Sequence, residues 1–434
     1  MRLPAALVAL GLGLVAGCDT PAEETGADEV SEPEGPEGKG EAEGEAEGSA
    51  EGDATDPPAN PMERGPYSVG LVTIDLYDES RPNEAAGRGR WLRTDILYPA
   101  LADGGGEPVV LDLETESAGI DLGERREAIL SAKVPTIALD ALRDGAPDPA
   151  EAPYPIIFFS HGSNGIRWQS VFFTLHLASH GYVVISADHE HNTIWDIITG
   201  GFSSDSLMDS LADRPDDVRF LLDTVLDMND DPEDRFYGLM DPDKIGATGH
   251  SAGALTALSL PCLDDRFDVA VLHSPHIHGG FAFGGCQTLP YPVPTLTMGG
   301  TLDHTINYCL QYCGYRELLV GPPSYLYELT GGGHFTFADI CQLNLVEVAK
   351  ELDLGSTAEG FLRDGCGDEN VSYAKAHKTI NYYATAFLDA HLRGNPASLE
   401  ALVDRDDPPF DVVRFFTGEV PDFPDGGCGD CSIF

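Results

Sequence analysis

Lysine is almost missing from this chain. There are six in 434 residues, within a total of 25 basic against 73 acidic side chains and a formal net charge of −48. A protein so short of cations cannot neutralise a phosphate backbone, which excludes non-specific nucleic-acid binding. Charge cannot hold it to an anionic membrane either. The acidity is spread along the chain: residues 19–65 hold 16 acidic and two basic side chains, or −14, which leaves about −34 of the −48 elsewhere. Such a surface keeps a protein soluble and monomeric at high ionic strength, and it suits a saline habitat. No internal repeat is present, which argues against a solenoid or a propeller. The apolar run that opens the chain, residues 3–17 after Met1-Arg2, is too short for a comfortable transmembrane helix and has the size of a signal-peptide core.

That run ends in Leu14-Val15-Ala16-Gly17-Cys18, which resembles a bacterial lipobox. Small residues there suit the lipoprotein signal peptidase, and Cys18 becomes the acylated N-terminus. Acyl chains on one cysteine suffice for stable anchoring. The resemblance therefore implies a membrane partner reached through lipid, and a place in the bacterial cell envelope on a periplasmic or outer-surface face. A plain secretory signal that happens to contain a cysteine is the alternative. Residues 18–66 are mostly Glu, Gly, Ala and Pro, with almost no large apolar side chain. They cannot offset the entropy of ordering themselves, and their like charges favour extension, so they read as a disordered acidic tether. Eight further cysteines remain: Cys262, Cys286, Cys309, Cys313, Cys341, Cys366, Cys428 and Cys431. An even number in an exported chain suggests disulfides, whose pairing the spacing leaves open. Cys428-Gly429-Asp430-Cys431 has no second Cys pair at zinc spacing, so a bridge is the better reading of it than a metal site.

From residue 67 to 393, apolar β-rich runs alternate with helical patterns, which predicts an α/β fold with a mostly parallel sheet and helices on both faces. Residues 68–77 and 90–98 read as an antiparallel pair at the sheet edge. Residues 101–151 read as an insertion and a candidate lid, helical over 125–142. Buried strands are expected at 155–159, 182–187, 244–248, 269–272, 294–298 and 325–329. Helices are expected at 171–180, 215–227, 252–260 and 374–392. Residues 394–434 form a C-terminal extension carrying the last Cys pair.

Gly249-His250-Ser251-Ala252-Gly253 matches G-x-S-x-G, weak evidence alone in a chain with 49 glycines. Its setting strengthens it. A short apolar strand precedes it and an Ala/Leu helix follows, as a nucleophile elbow requires. Glycines on both sides relieve the crowding of a sharp turn, and the following helix N-terminus favours developing negative charge. A serine nucleophile needs a base, and the base needs an orienting carboxylate. Asp303 follows the strand at 294–298, and His334 follows the strand at 325–329 behind Gly331-Gly332-Gly333, in the Ser, acid, His order of this elbow class. His304 and Asp339 are rivals for the acid's neighbourhood. The oxyanion donors should be the backbone N–H groups of Ala252 and of Ser163, the latter in the turn after the strand at 155–159.

Five segments resemble one family: Pro155-Ile156-Ile157-Phe158-Phe159-Ser160-His161-Gly162, Ala178-Ser179-His180-Gly181-Tyr182-Val183-Val184, Arg214-Pro215-Asp216-Asp217-Val218, Gly249-His250-Ser251-Ala252-Gly253 and Gly332-Gly333-His334-Phe335. They are similar to the platelet-activating-factor acetylhydrolase-like and predicted dienelactone hydrolase group of α/β-hydrolases, which includes bacterial lipases and cutinase-like polyester hydrolases. The resemblance implies a triad of Ser251, Asp303 and His334, an oxyanion turn at Ser163, no metal or organic cofactor, and ester cleavage through an acyl-enzyme. True dienelactone hydrolases use cysteine, so the serine argues against that reaction. Phe281-Ala282-Phe283 and the 101–151 insertion are candidate pocket segments, which suits an ester with an apolar acyl group. A peptidase or amidase on the same fold, and an inactive surface-binding relative, are the alternatives. His189-Glu190-His191 and His273-Ser274-Pro275-His276-Ile277-His278 both follow expected strands. H-x-H pairs can bind zinc, but histidines lining a polar hydrolase pocket are the commoner case, and no metal is expected.

Overall fold

The computed structural model describes residues 60–131, 134–199, 204–276, 291–318, 323–343, 345–351, 355–404 and 409–417. The signal run, Cys18, residues 18–59 of the acidic tether, His278, Phe281-Ala282-Phe283, Cys286, Cys428 and Cys431 lie outside them, whereas residues 60–66 of the expected tether are described, and the Gly65 N–H donates to Ser179 Oγ at 3.0 Å.

In chain order the elements are β1 (Ser68–Asn83), β2 (Arg88–Ala100), β3 (Glu107–Leu111), α1 (Leu113–Glu116), α2 (Arg126–Ser131), β4 (Ile137–Arg143), β5 (Tyr154–Ser160), α3 (Val171–Ser179), β6 (Val183–Ala187), α4 (Ile194–Thr199) and α5 (Ser204–Asp230). Then come β7 (Met240–His250), α6 (Ala252–Leu263), β8 (Val269–His273), β9 (Thr295–Gly300), α7 (Tyr308–Leu318), β10 (Ser324–Leu329), α8 (Leu345–Glu351), α9 (Ser356–Phe361), α10 (Tyr373–His391), α11 (Pro396–Val403) and β11 (Val413–Thr417). The strands form one sheet in the order β11-β10-β9-β8-β7-β5-β6-β2-β1-β4-β3. Six neighbouring strands, β6, β5, β7, β8, β9 and β10, run parallel.

The parallel strands are apolar along their whole length because both faces are covered. In β5, Ile157 and Phe159 pack with Phe173 and Leu177 of α3 and with Ile380 and Phe387 of α10. Ile156 and Phe158 point to the opposite face, as strand alternation requires, and share a core with Val218, Leu222 and Val225 of α5 and Ala254 and Leu258 of α6. Each such side chain contributes about 1.5–3 kcal/mol relative to exposure. The apolar stripe expected on the 215–227 helix faces inward.

Three expectations need correction. The helix expected over 125–142 is helical only at Arg126–Ser131, and Ile137–Arg143 is strand β4. Pro135 disfavours a continuous helix, and the alternation of more and less buried residues from Ile137 to Ala141 is that of a strand. Consequently the β1–β2 pair, antiparallel as expected, is not at the sheet edge. β4 pairs parallel with β1, and β3 pairs antiparallel with β4 outside it. The C-terminal extension also enters the fold: β11 pairs antiparallel with β10 and forms the opposite edge.

Candidate active site

The expected site residues gather at the C-terminal ends of the parallel strands, where an open α/β sheet places its ligands. Ser251 follows β7 with φ 56° and ψ −119°. A non-glycine residue held at positive φ stores strain, which functional elbows characteristically tolerate. Crowding explains the flanking glycines. A Cβ on Gly253 would sit 1.9 Å from the Ser160 carbonyl oxygen, and one on Gly249 would sit 2.2 Å from that of Gly253. The Ser251 N–H donates to the His273 carbonyl at 2.9 Å, which pins the elbow to β8.

Asp303 and His334 come from the ends of β9 and β10. His334 Nδ1 meets Asp303 Oδ2 at 2.9 Å, and both residues are buried. Asp303 Oδ2 also accepts from Gln311 Nε2 at 2.9 Å, while Oδ1 accepts the N–H groups of Thr305 at 3.0 Å and Ile306 at 2.7 Å. These donors fix the orientation of the carboxylate toward His334. Burial alone would lower the proton affinity of His334, but the Asp303 carboxylate, and then Asp364, raise it above the ordinary value of 6.5.

The rivals lie elsewhere. The Asp339 carboxyl accepts the Phe172 N–H at 3.0 Å and Gln342 Nε2 at 2.9 Å, and its burial pushes it up to about 7. His304 is exposed, and its N–H donates to Asp364 Oδ2 at 3.0 Å.

Four residues not singled out as site residues bind these pieces together. Asp364 accepts the His334 N–H at 3.1 Å on Oδ1 and the Thr305 N–H at 2.7 Å on Oδ2, so it joins the Asp303 and His334 loops. Gln169 accepts the Gly162 N–H on Oε1 at 3.1 Å and donates from Nε2 to His250 Nδ1 at 2.8 Å. His250 Nε2 then donates to the His334 carbonyl at 3.0 Å, and the two imidazoles pack 4.6 Å apart. This network assigns the proton of neutral His250 to Nε2. One amide side chain thus connects the turn after β5, the elbow and the His334 loop. The fourth residue, Arg214, lies inside the protein beneath the same turn. No sequence pattern marks Gln169. Arg214 was visible within a family motif, although a charged helix residue ordinarily reads as solvent-facing.

Ser163 and Ala252 both stand beside the elbow. A Cβ on Gly162, next to Ser163, would lie 3.5 Å from Ser251 Cβ. Ala252 is the first residue of α6, where an N–H has no intrahelical partner. Of the histidine segments, His189 is taken up by Ser160 Oγ and Asp217 Oδ2, both at 2.9 Å. His191 is exposed, and His273 is buried among aromatic rings. Among the described residues no group of three His, Cys, Asp or Glu stands in a metal-holding arrangement.

Residues 61–202 match the sequence model of the family described as platelet-activating factor acetylhydrolase, isoform II. That stretch includes the turn at 160–165 and stops short of Ser251, Asp303 and His334. Over 258 residues the chain is 25% identical to a platelet-activating factor acetylhydrolase of Cavia porcellus, covering 50% of this chain and 55% of that protein. Over 198 residues it is 32% identical to a probable 1-alkyl-2-acetylglycerophosphocholine esterase of Arthroderma benhamiae, covering 43% of this chain and 48% of the other. The chain spans about half the length of these two relatives. A ferulic acid esterase from Streptomyces cinnamoneus has a similar structure, with a TM-score of 0.59 and 24% identity over 80% of this chain and 96% of the other. The fold is the α/β-hydrolase fold, and the resemblance read from the motifs is borne out.

Proposed function

We propose that this α/β-hydrolase is a serine ester hydrolase in which Ser251 is the nucleophile, His334 the general base and Asp303 the orienting acid. The observation that carries the proposal is the 2.9 Å Asp303–His334 pair, assembled from two strand ends beside an elbow that holds Ser251 at positive φ. Ser251 Oγ adds to the ester carbonyl carbon as its proton passes to His334 Nε2, and the π pair moves onto the carbonyl oxygen. That oxyanion is received by the Ser163 and Ala252 N–H groups. Collapse breaks the bond to the alcohol, which leaves with the proton from His334. Water, deprotonated by the same imidazole, then releases the acid from Ser251.

The relatives' names describe cleavage of acetyl esters, which makes short acyl chains the first substrates to test. An apolar substrate suits the exposed ring of Phe361, whose centroid lies 6.4 Å from that of His334. Anchoring through lipid on Cys18, a cell-envelope location and a monomeric state complete the reading.

The test is hydrolysis of p-nitrophenyl acetate together with labelling by a fluorophosphonate probe. Ser251→Ala should lose about 10⁵–10⁶ of kcat, as removal of a triad serine does, and should not label. Ester hydrolysis that survives Ser251→Ala would sink the proposal.

A further inference from the structure

Arg214 is buried from solvent in α5, and all of its nitrogens are bonded to oxygens without formal charge. Its Nε donates to Ser210 Oγ at 3.2 Å, and Nη2 to Asn192 Oδ1 at 2.7 Å and to the Gly162 carbonyl at 3.1 Å. Nη1 donates to Ser160 Oγ at 3.3 Å and to the His161 carbonyl. The nearby Asp217 carboxylate is taken by Arg90, Arg81 and His189. Among the described residues no carboxylate forms a direct ion pair with Arg214. A buried cation is costly unless its surroundings are arranged for it. Here the arrangement consists of three side-chain oxygens and the two successive carbonyls at His161 and Gly162.

The consequence follows from peptide geometry. In a planar trans peptide, a carbonyl and the next residue's N–H point in opposite directions. Among the described residues the only cis bond is Ala152–Pro153, so the Gly162–Ser163 bond is trans. The Gly162 oxygen is held by Arg214 together with His161 Nδ1 at 2.7 Å and the Gly165 N–H at 3.1 Å, so the Ser163 N–H is turned away from all three. No acceptor takes that N–H among the described residues, whereas the Gly162 N–H is occupied by Gln169. Gly162 itself borders Ser251, as its 3.5 Å approach to Ser251 Cβ shows.

We propose that Arg214 is a positioning residue for the oxyanion. It locks the peptide planes of the turn so that the Ser163 N–H faces the space beside Ser251. Its charge, bonded to the carbonyl of the same peptide, also polarises that N–H into a stronger donor for the negative oxygen of the tetrahedral intermediate. This inference rests on the ester-hydrolase reading.

The test compares Arg214→Lys with wild type in kcat and KM for a p-nitrophenyl ester, and in inhibition by phenylboronic acid, which forms a tetrahedral adduct with a nucleophilic serine. Fluorophosphonate titration counts competent sites. Lysine keeps the charge but cannot grip two carbonyls as a fork does. Loss of an oxyanion donor outright costs about 10²–10³ in kcat, so Arg214→Lys should lower kcat per titrated site by about 10- to 100-fold. KM should stay within about threefold, and the boronate should weaken by the same factor as kcat. Unchanged kcat per titrated site and unchanged boronate affinity would overturn the inference. Should Arg214→Lys fail to fold, Ser210→Ala decides, since it keeps Arg214 and removes the partner of its Nε. A severalfold fall in kcat at unchanged Tm supports the inference, and unchanged kcat overturns it. Failure of the underlying hydrolase reading is distinguishable, because it appears already in wild type and Ser251→Ala.

Discussion

The His334 imidazole, 2.9 Å from the Asp303 carboxylate, makes pH a direct probe of the site. Burial alone would lower its proton affinity, yet the carboxylate raises it above 6.5. A base must be neutral to accept a proton, so kcat/KM should fall as pH drops through the raised value. The acid limb of a pH–rate profile should therefore have its midpoint above pH 6.5. Asp303→Asn removes the raising charge, so the limb should move to lower pH while the maximal rate drops by about 10⁴. An unshifted limb in that variant would show that His334 does not set it. At this scale the sequence made Ser251, Asp303 and His334 legible, because a G-x-S-x-G elbow and two strand-end loops in the right order are local patterns. Gln169, Asp364 and Arg214 were not legible as site residues. Each acts on a group distant in sequence, such as His250, 81 positions from Gln169, or Gly162, 52 positions from Arg214.

Among the elements, the 3₁₀ turn His334–Phe337 and the residues around Asp364 show how tertiary links support local chemistry. Cys341 and Cys366 form a disulfide. The second half-cystine lies two residues after Asp364, whose side chain holds the His334 and Thr305 N–H groups. With the cysteines 25 positions apart in sequence, loop-closure entropy assigns the bond about 3–4 kcal/mol. The double variant Cys341→Ser/Cys366→Ser should unfold several degrees below wild type in a thermal melt. It should also lose more kcat than KM, because the Asp364 clamp slackens. Equal Tm values would show that the clamp holds without the bond. The interior strands were legible because continuous apolar runs such as Ile156 to Phe159 leave few other choices. The outer strands β3, β4 and β11 are short and only partly apolar, and their pairing depends on an edge that the rest of the sheet presents.

Over the whole molecule, the formal charge is −48, and the roughly −34 that lies outside residues 19–65 implies strong self-repulsion in the compact state. The Debye length shrinks from about 10 Å at 0.1 M to about 3 Å at 1 M salt. Raising KCl from 0.1 to 1 M should therefore raise Tm, and a Tm that falls over this range would count against charge repulsion as the limiting term. Composition, the elbow motif and the alternation of apolar strands and helices determined by themselves the acidic character, the α/β class and the three residues expected to carry the chemistry. Those are properties of short segments, governed by backbone sterics and by the period of burial. Only the tertiary structure decided the order of strands at the sheet edges, the Asp364 bridge between the Asp303 and His334 loops, and the burial of Arg214 beneath the Ser163 turn. These depend on which distant polar groups meet where water is excluded, and one sequence read segment by segment does not contain that meeting.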